Sequence, residues 1–427
     1  MRKIRLIVFT VATLTSMGIS AQKGEWSGKL SVYGNEITLV FHLDDENCTI
    51  DSPDQGAKGI AAKMERTETG IKVYVPSINA IYEGINMGVS IMGTFKQHSQ
   101  SFPLTLKPGT IKRNRPQTPV GPYPYQTQEV TFNNGDAVIK GTLTIPEGFT
   151  RKTPVLLMIT GSGLQNRDEE IFEHKPFSVI ADALARQGIA TLRYDDRGFG
   201  ESTGDVVNVT TEDLKNDALA GIDLLRKQFD RVGVLGHSEG GTIGLMLAAE
   251  QKVDFAISLA GNIISGEKTL LEQNQWTLQQ AGYSQDVIDR YLQALESLFD
   301  DLKAERIPML NSQGLPTELE RNLQVVKTQC SSPYMRYFLT LDISNSLKKI
   351  TCPVLALNGT KDRQVNGEEN LTILRNNLSG KKVILAIEKV NHLFQHCNTG
   401  DPSEYKDIEE TFAPEVLDII ITWTKEL

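Results

Sequence analysis

Ser238 stands in the run Gly236-His237-Ser238-Glu239-Gly240, after the apolar stretch Val232–Leu235 and before the almost uncharged stretch Thr242–Ala249. A serine between closely spaced glycines, where a buried strand passes into a buried helix, is the pattern of a nucleophile elbow. The tight turn lifts the hydroxyl clear of the backbone, and the glycines let strand and helix nearly touch. The chemistry this suggests is acyl transfer. A serine hydroxyl is a weak nucleophile near neutral pH, so it needs a base to take its proton and a carboxylate to orient that base. The plainer reading is a Gly-rich turn with an incidental serine.

In the chain order that accompanies such an elbow, the acid and then the histidine follow the serine. Four of the six histidines, His42, His98, His174 and His237, precede Ser238, which leaves His392 and His396. His392 follows the apolar run Lys382–Ile387 through the short loop Glu388-Lys389-Val390-Asn391 and is the expected base. His396, one helical turn further on, reads as a surface or packing histidine. Asp362 is the expected acid because it follows the apolar strand Val354–Asn358 through Gly359-Thr360-Lys361. Asp286, Asp289, Asp300 and Asp301 read as solvated helix faces, Asp342 comes before that strand, and Asp401, Glu409 and Glu410 come late. A tetrahedral intermediate also needs two donors at its oxyanion. The expected pair is the backbone N–H of Glu239 and, from the turn Gly161-Ser162-Gly163, that of Ser162 in preference to Gly163. Since both would act through the main chain, their side chains are expected to matter little. A phosphate-loop reading of Thr160–Gly163 fails because no Lys-Ser or Lys-Thr pair follows at the required spacing.

The elements that must position these residues alternate. Val130–Phe132 and Ile139–Ile145 suggest an edge strand pair; Pro154–Ile159, Ile189–Tyr194, Val232–Leu235, Phe255–Leu259, Val354–Asn358 and Lys382–Ile387 read as buried strands. Between them run helical stripes such as Phe177, Ile180, Ala181 and Leu184, or Leu214, Ala218, Ile222 and Leu225. Buried strands alternating with helices predict a mostly parallel sheet covered on both sides. About ninety residues separate Leu259 from Pro353, more than one crossover needs. Val287, Ile288, Tyr291, Leu292, Leu295, Leu298 and Phe299 form a helical stripe there, so a helical cap over about 262–350 is expected above the strands' carboxyl ends. Trp276, Tyr291 and Phe338 are the aromatic candidates for a wall of the substrate pocket, with the cap's own core as the alternative place for them.

Upstream, residues 22–107 form short alternating runs, clearest in Ile37, Leu39, Phe41 and Leu43, and predict a small antiparallel β domain, open roll or barrel. Pro108, Pro116, Pro119, Pro122 and Pro124 mark 108–127 as an extended, semi-rigid linker with few contacts, before a larger domain at 128–427. The first 21 residues, with Arg2, Lys3 and Arg5 ahead of an apolar region and small residues near Ala21, read as a signal peptide. Export to the periplasm or the medium is therefore expected, with no membrane span once the signal is removed. Without its three cations the chain carries 41 basic against 53 acidic side chains, a charge of −12, which argues against nucleic acid as a partner. Cys48, Cys330, Cys352 and Cys397 are too sparse for a disulfide scaffold and their spacings match no metal site, so neither a metal nor a cofactor is assigned.

With these pieces in place, Thr131 to the carboxyl terminus resembles the α/β-hydrolase superfamily. The blocks ITGSGLQNRDE, RYDDRGFGES, GVLGHSEGG, PVLALNGTKDRQV and VNHLFQ resemble those of secreted bacterial serine esterases related to serine-aminopeptidase-like hydrolases. The resemblance implies an α/β-hydrolase fold with a helical cap insertion, preceded by a small all-β domain. It also implies ester hydrolysis of a small molecule through Ser238, His392 and Asp362. Thr160-Gly161 departs from the His-Gly that many such proteins carry at the oxyanion turn. A thioesterase or an aminopeptidase would use the same machinery, because a triad does not encode its leaving group. The contrasting expectation is an exported binding protein whose β domain is the working part.

Overall fold

The structure is a computed structural model that describes residues 23–32, 35–44, 47–55, 57–97, 100–110 and 113–427. The proposed signal peptide and His98 lie outside the described residues. The chain divides into two compact units, Met1–Lys112 and Arg113–Leu427.

The first unit is a closed eight-stranded barrel in which each strand is hydrogen-bonded to the next. Its strands are β1 (Gly24–Val32), β2 (Asn35–Leu43), β3 (Asn47–Ser52), β4 (Ala57–Arg66), β5 (Gly70–Val75), β6 (Ala80–Asn86), β7 (Ile91–Gln97) and β8 (Gln100–Pro108). β8 returns to β1, pairing Pro108 with Trp26 and Lys107 with Ser27, which closes the barrel. The alternation read from Ile37, Leu39, Phe41 and Leu43 is that of inward-facing positions, as a barrel requires. Phe41 and Tyr82 are fully buried in its core, with ring centroids 5.3 Å apart. The Tyr82 hydroxyl donates to the carbonyls of Ile91 and Leu104 at 3.0 and 3.2 Å, which satisfies the one polar atom such a ring brings inside.

The second unit holds an eight-stranded sheet. An antiparallel pair, β9 (Tyr125–Asn134) and β10 (Ala137–Pro146), starts it, and β10 also pairs antiparallel with β12 (Ala190–Tyr194). β11 (Val155–Ile159), β13 (Val232–His237), β14 (Phe255–Leu259), β15 (Val354–Gly359) and β16 (Lys382–Ile387) continue in parallel, giving the order β16-β15-β14-β13-β11-β12-β10-β9. That order, with its crossovers, is the α/β-hydrolase fold the sequence implied.

The unbroken apolar strands serve two cores at once, because side chains alternate across the pleat. Leu156 and Met158 face one layer, with α1 (Pro176–Ala185) and α9 (Pro414–Lys425). Val155, Leu157 and Ile159 face the other, with α2 (Thr211–Leu225), α3 (Glu239–Ala249) and α8 (Gly367–Asn377). Between β14 and β15 lies the cap: α4 (Gly266–Gln280), α5 (Gln285–Lys303), α6 (Thr317–Cys330) and α7 (Pro333–Thr340), packed around their own cluster of Leu295, Leu298, Phe299, Leu323 and neighbours. All four cysteines are free thiols.

The Pro-rich segment departs from expectation. Residues from Arg113 onward belong to the hydrolase unit, and 125–127 are already strand. Instead of carrying few contacts, the Arg115 guanidinium donates to the carbonyls of Phe172, Lys406 and Ile408 at 2.9, 2.9 and 2.7 Å. Gln117 accepts from the N–H groups of Thr411 and Phe412 and donates to the Phe412 carbonyl at 2.7 Å. Proline density forbids helix and sheet but leaves an extended chain free to lie against carbonyl-rich loops, and composition alone does not register that. One of the clamped loops holds Glu169, Phe172 and Glu173 at φ of 52°, 50° and 65°, left-handed conformations that cost about 1 to 3 kcal/mol each unless the surroundings over-determine them. Removing residues up to Gln126 should therefore be harmful, where a chain beginning at Arg113 should stay active. Arg115→Ala in the full chain should lower Tm by roughly 5 °C and cut turnover. Thermal scans beside ester assays check this; a chain beginning at Thr127 with undiminished turnover would contradict it.

Candidate active site

Ser238 sits where β13 ends and α3 begins, at φ 53° and ψ −119°, a strained conformation for a residue with a side chain. A Cβ on Gly236 would come within 2.0 Å of the Gly240 carbonyl oxygen, and one on Gly240 within 2.0 Å of the Ile159 carbonyl oxygen. Only glycine permits both approaches, so the two glycines hold the elbow tight. The Ser238 N–H donates to the Leu259 carbonyl on the neighbouring strand at 2.8 Å, anchoring the turn to the sheet.

His392 lies on the loop after β16 and Asp362 on the loop after β15, both at the carboxyl edge of the sheet. His392 Nδ1 is 2.8 Å from Asp362 Oδ2. The Asp362 side chain is fully buried, its Oδ1 accepts from the N–H groups of Gln364 and Val365, and its Oδ2 accepts from Asn358 Nδ2 at 3.0 Å. Burial alone would raise this carboxyl, but the facing His392 ring, its hydrogen bond and the backbone donors hold it below the usual range. An ionised carboxylate only accepts, so His392 Nδ1 carries the proton and Nε2 presents a lone pair. Ser238 and His392 line one cavity of about 320 Å3.

The structure thus brings together Ser238, Asp362, His392, Ser162 and Glu239. Phe338 of the cap also lines this cavity. Tyr291 and Trp276 do not. Tyr291 is buried in the cap's core with its hydroxyl on Asn322, because its position in the α5 stripe points it inward against α6. Trp276 borders a separate depression behind Asp362 and lies beneath the Arg363 guanidinium, 5.9 Å from the ring centroid. His396 is half exposed, with its two ring nitrogens each 2.9 Å from a carboxylate, Glu410 and Glu415.

The side chains of the two oxyanion candidates are more engaged than expected. The Glu239 carboxyl is buried and accepts from Thr211 Oγ1 at 2.6 Å and from the Tyr334 hydroxyl at 2.5 Å, with the Ser162 hydroxyl also facing it. Burial raises its pKa, and these three hydroxyls oppose the rise. Tyr334 belongs to α7, so the cap is tied directly to the residue after Ser238.

One pair escaped the sequence altogether. His237 Nδ1 lies 2.9 Å from Glu169 Oε1, and its Nε2 lies 2.9 Å from the carbonyl oxygen of His392. Glu169 Oε1 also accepts the Gly161 N–H at 2.8 Å. A carbonyl oxygen can only accept, so Nε2 must donate to it; Nδ1 must then also be protonated to bond an ionised Glu169. The arrangement favours the imidazolium form of His237. Burial opposes the charge on His237, and Glu169 restores it and raises the imidazole pKa. Glu169, His237 and the His392 carbonyl thereby link the oxyanion turn to the loop of the candidate base. Elimination by chain order had left His237 without a role, and no local spacing pairs residues 68 apart.

Residues 135–394 match the family described as X-Pro dipeptidyl-peptidase (S15 family), which spans more than half of the chain. The chain belongs to that family. It is also 28% identical over 312 residues to Esterase EstD of Thermotoga maritima, covering 71% of this chain and 69% of that protein. Similar solved structures include Est1E from Butyrivibrio proteoclasticus bound to ferulic acid (20% identity, TM-score 0.43, 70% of this chain and 98% of that one). The Pyrococcus furiosus esterase Pf2001 is another (15% identity, TM-score 0.45, 75% and 98%).

Proposed function

We propose that this protein is an exported serine hydrolase, periplasmic or secreted, that cleaves small carboxylic esters through an acyl-enzyme intermediate. The observation that carries this reading is the meeting, in one cavity, of a strained Ser238 and a His392 whose Nδ1 is fixed by buried Asp362. Ser238 Oγ attacks the ester carbonyl while His392 Nε2 takes its proton; Asp362 stays ionised and steadies the imidazolium. The backbone N–H groups of Ser162 and Glu239 receive the oxyanion. As the intermediate collapses, the alcohol leaves with the proton from His392. Water, deprotonated by the same nitrogen, then attacks the acyl-serine; the second tetrahedral intermediate collapses, the proton returns to Ser238, and the acid is released.

Esters are favoured over peptides by the state of the pocket's acids and by the name of the relative EstD. A peptidase working from a free amino terminus needs a carboxylate for the ammonium group. Among the described lining residues the carboxylates are Glu169 and Glu239; the first holds His237 and Gly161, the second Thr211, Tyr334 and Ser162. Among the described residues no helix is long and apolar enough to cross a membrane. With its acidic balance the protein is read as acting on small molecules rather than nucleic acid.

The test is turnover of p-nitrophenyl esters of increasing chain length beside a thioester and an X-Pro p-nitroanilide, with fluorophosphonate labelling of Ser238. Ester turnover above the other two is expected; faster anilide cleavage would make it a peptidase. No turnover and no labelling would leave a binding protein. Within that series Phe338→Ala should shift the ratio of long-chain to short-chain rates by about 10-fold, the scale of a changed hydrophobic wall. Equal losses on every ester would point instead to damaged packing against Tyr334, on which Phe338 stacks.

A further inference from the structure

The barrel of the first unit contains a cavity of about 570 Å3 that has no part in the Ser238 site. Its lining residues gather toward the end where β1 meets β2, β3 meets β4, β5 meets β6 and β7 meets β8, the pairs Val32–Asn35, Ser52–Ala57, Val75–Ala80 and Gln97–Gln100. At the opposite end the interior is filled by Trp26, Phe41 and Tyr82. A small barrel of this strand number either packs its interior with side chains or holds one small ligand. Here the buried Leu39, Ile50 and Phe95 line the cavity's depth, and Val32 and Ile37 pack around it.

We propose that this cup binds one neutral, predominantly apolar small molecule, such as a medium-chain alcohol or an uncleaved ester. Its volume falls within the roughly 300 to 1,000 Å3 of pockets that enclose such ligands. A closed barrel offers no strand edge to which a peptide could add, which argues against a protein segment as occupant. The described lining carries polar but no charged side chains. Ser52 donates to Gln55 Oε1 at 2.8 Å and Gln97 Nε2 donates to the Ile78 carbonyl at 3.0 Å. That leaves the Gln55 amide NH2 as a donor for a hydroxyl or an ester carbonyl. A carboxylate would enter without a counter-charge, so the cup should discriminate against the acid form of the same chain. The proposal does not rest on the esterase reading.

The experiment uses the full chain carrying Ser238→Ala, so that nothing is turned over. N-phenyl-1-naphthylamine, a neutral apolar fluorophore, should bind saturably and be displaced by 1-decanol but not by decanoate at equal free concentration. Ala57→Trp, which places bulk in the cavity, should weaken fluorophore binding by at least about 10-fold, whereas Phe338→Ala in the other pocket should leave it unchanged. A decanol bearing a diazirine, photolysed on the same Ser238→Ala chain with no barrel substitution, keeps the test open if Ala57→Trp misfolds. Label within residues 24–108 supports the proposal. Absence of saturable binding, label confined to residues 125–427, or binding indifferent to a folded Ala57→Trp overturns it. Equal displacement by decanoate overturns the preference for a neutral ligand.

Discussion

His392→Ala should lower kcat on a small ester by about 10⁴-fold or more, and adding Ser238→Ala should cost little further, because nucleophile and base act as one unit. His396→Ala should stay within about 10-fold. The two histidines are four residues apart, yet they meet different surroundings. His392 is buried, with Nδ1 on Asp362 and a place in the cavity of Ser238. His396 has its ring between Glu410 and Glu415 and is half exposed. Asp362→Asn should resemble His392→Ala within about an order of magnitude, since an amide in place of the carboxylate favours the wrong imidazole tautomer. Circular dichroism must first show that each variant is folded, with kcat then measured on one p-nitrophenyl ester. A dead His396→Ala beside an active His392→Ala would reverse the assignment.

Glu169→Gln should have the next largest effect, acting through position rather than through contact with substrate. The substitution leaves His237 either a buried cation without its counter-charge or a neutral ring able to donate only one of its two hydrogen bonds. Breaking a buried pair from one side typically costs about 3 to 5 kcal/mol. Denaturant unfolding should show a loss of that order, and kcat should fall by about 10²-fold with KM little changed, because the Gly161 turn and the His392 carbonyl lose their common anchor. Adding His237→Gln removes the stranded charge and should recover much of the stability while leaving kcat low. Glu169→Gln as stable as the parent chain would mean that the pair is not ionised.

Much of the catalytic unit was legible in the chain because its determinants are local. The glycines at 236 and 240 announce a close approach of strand and helix whatever surrounds them. An apolar run of five or six residues without a polar break, as in Val155–Ile159, is suited to a strand covered on both faces, so the alternating order of elements predicts the parallel sheet. Chain order then singled out Asp362 and His392 because each follows an apolar strand by a short loop, and loops after parallel strands gather at one edge. The first unit's alternation likewise implied antiparallel strands. What it did not carry was closure, since whether β8 returns to β1 depends on accumulated twist and stagger rather than on any one residue.

Only the tertiary structure decided the rest, and the physical reason is the same in each case. Glu169 and His237 are 68 residues apart, and His237 and the His392 carbonyl 155, so no periodicity connects them. Arg115 reads as a linker charge until the carbonyls of Phe172, Lys406 and Ile408 are seen to converge on it. Tyr291 and Phe338 are both aromatic residues of the cap, yet one faces its core and the other the cavity. The sequence determines which residues can react and which segments can be buried. Which buried polar groups satisfy one another is decided by packing, because a hydrogen bond inside a protein is set by distances of about 3 Å across segments that the chain order leaves far apart.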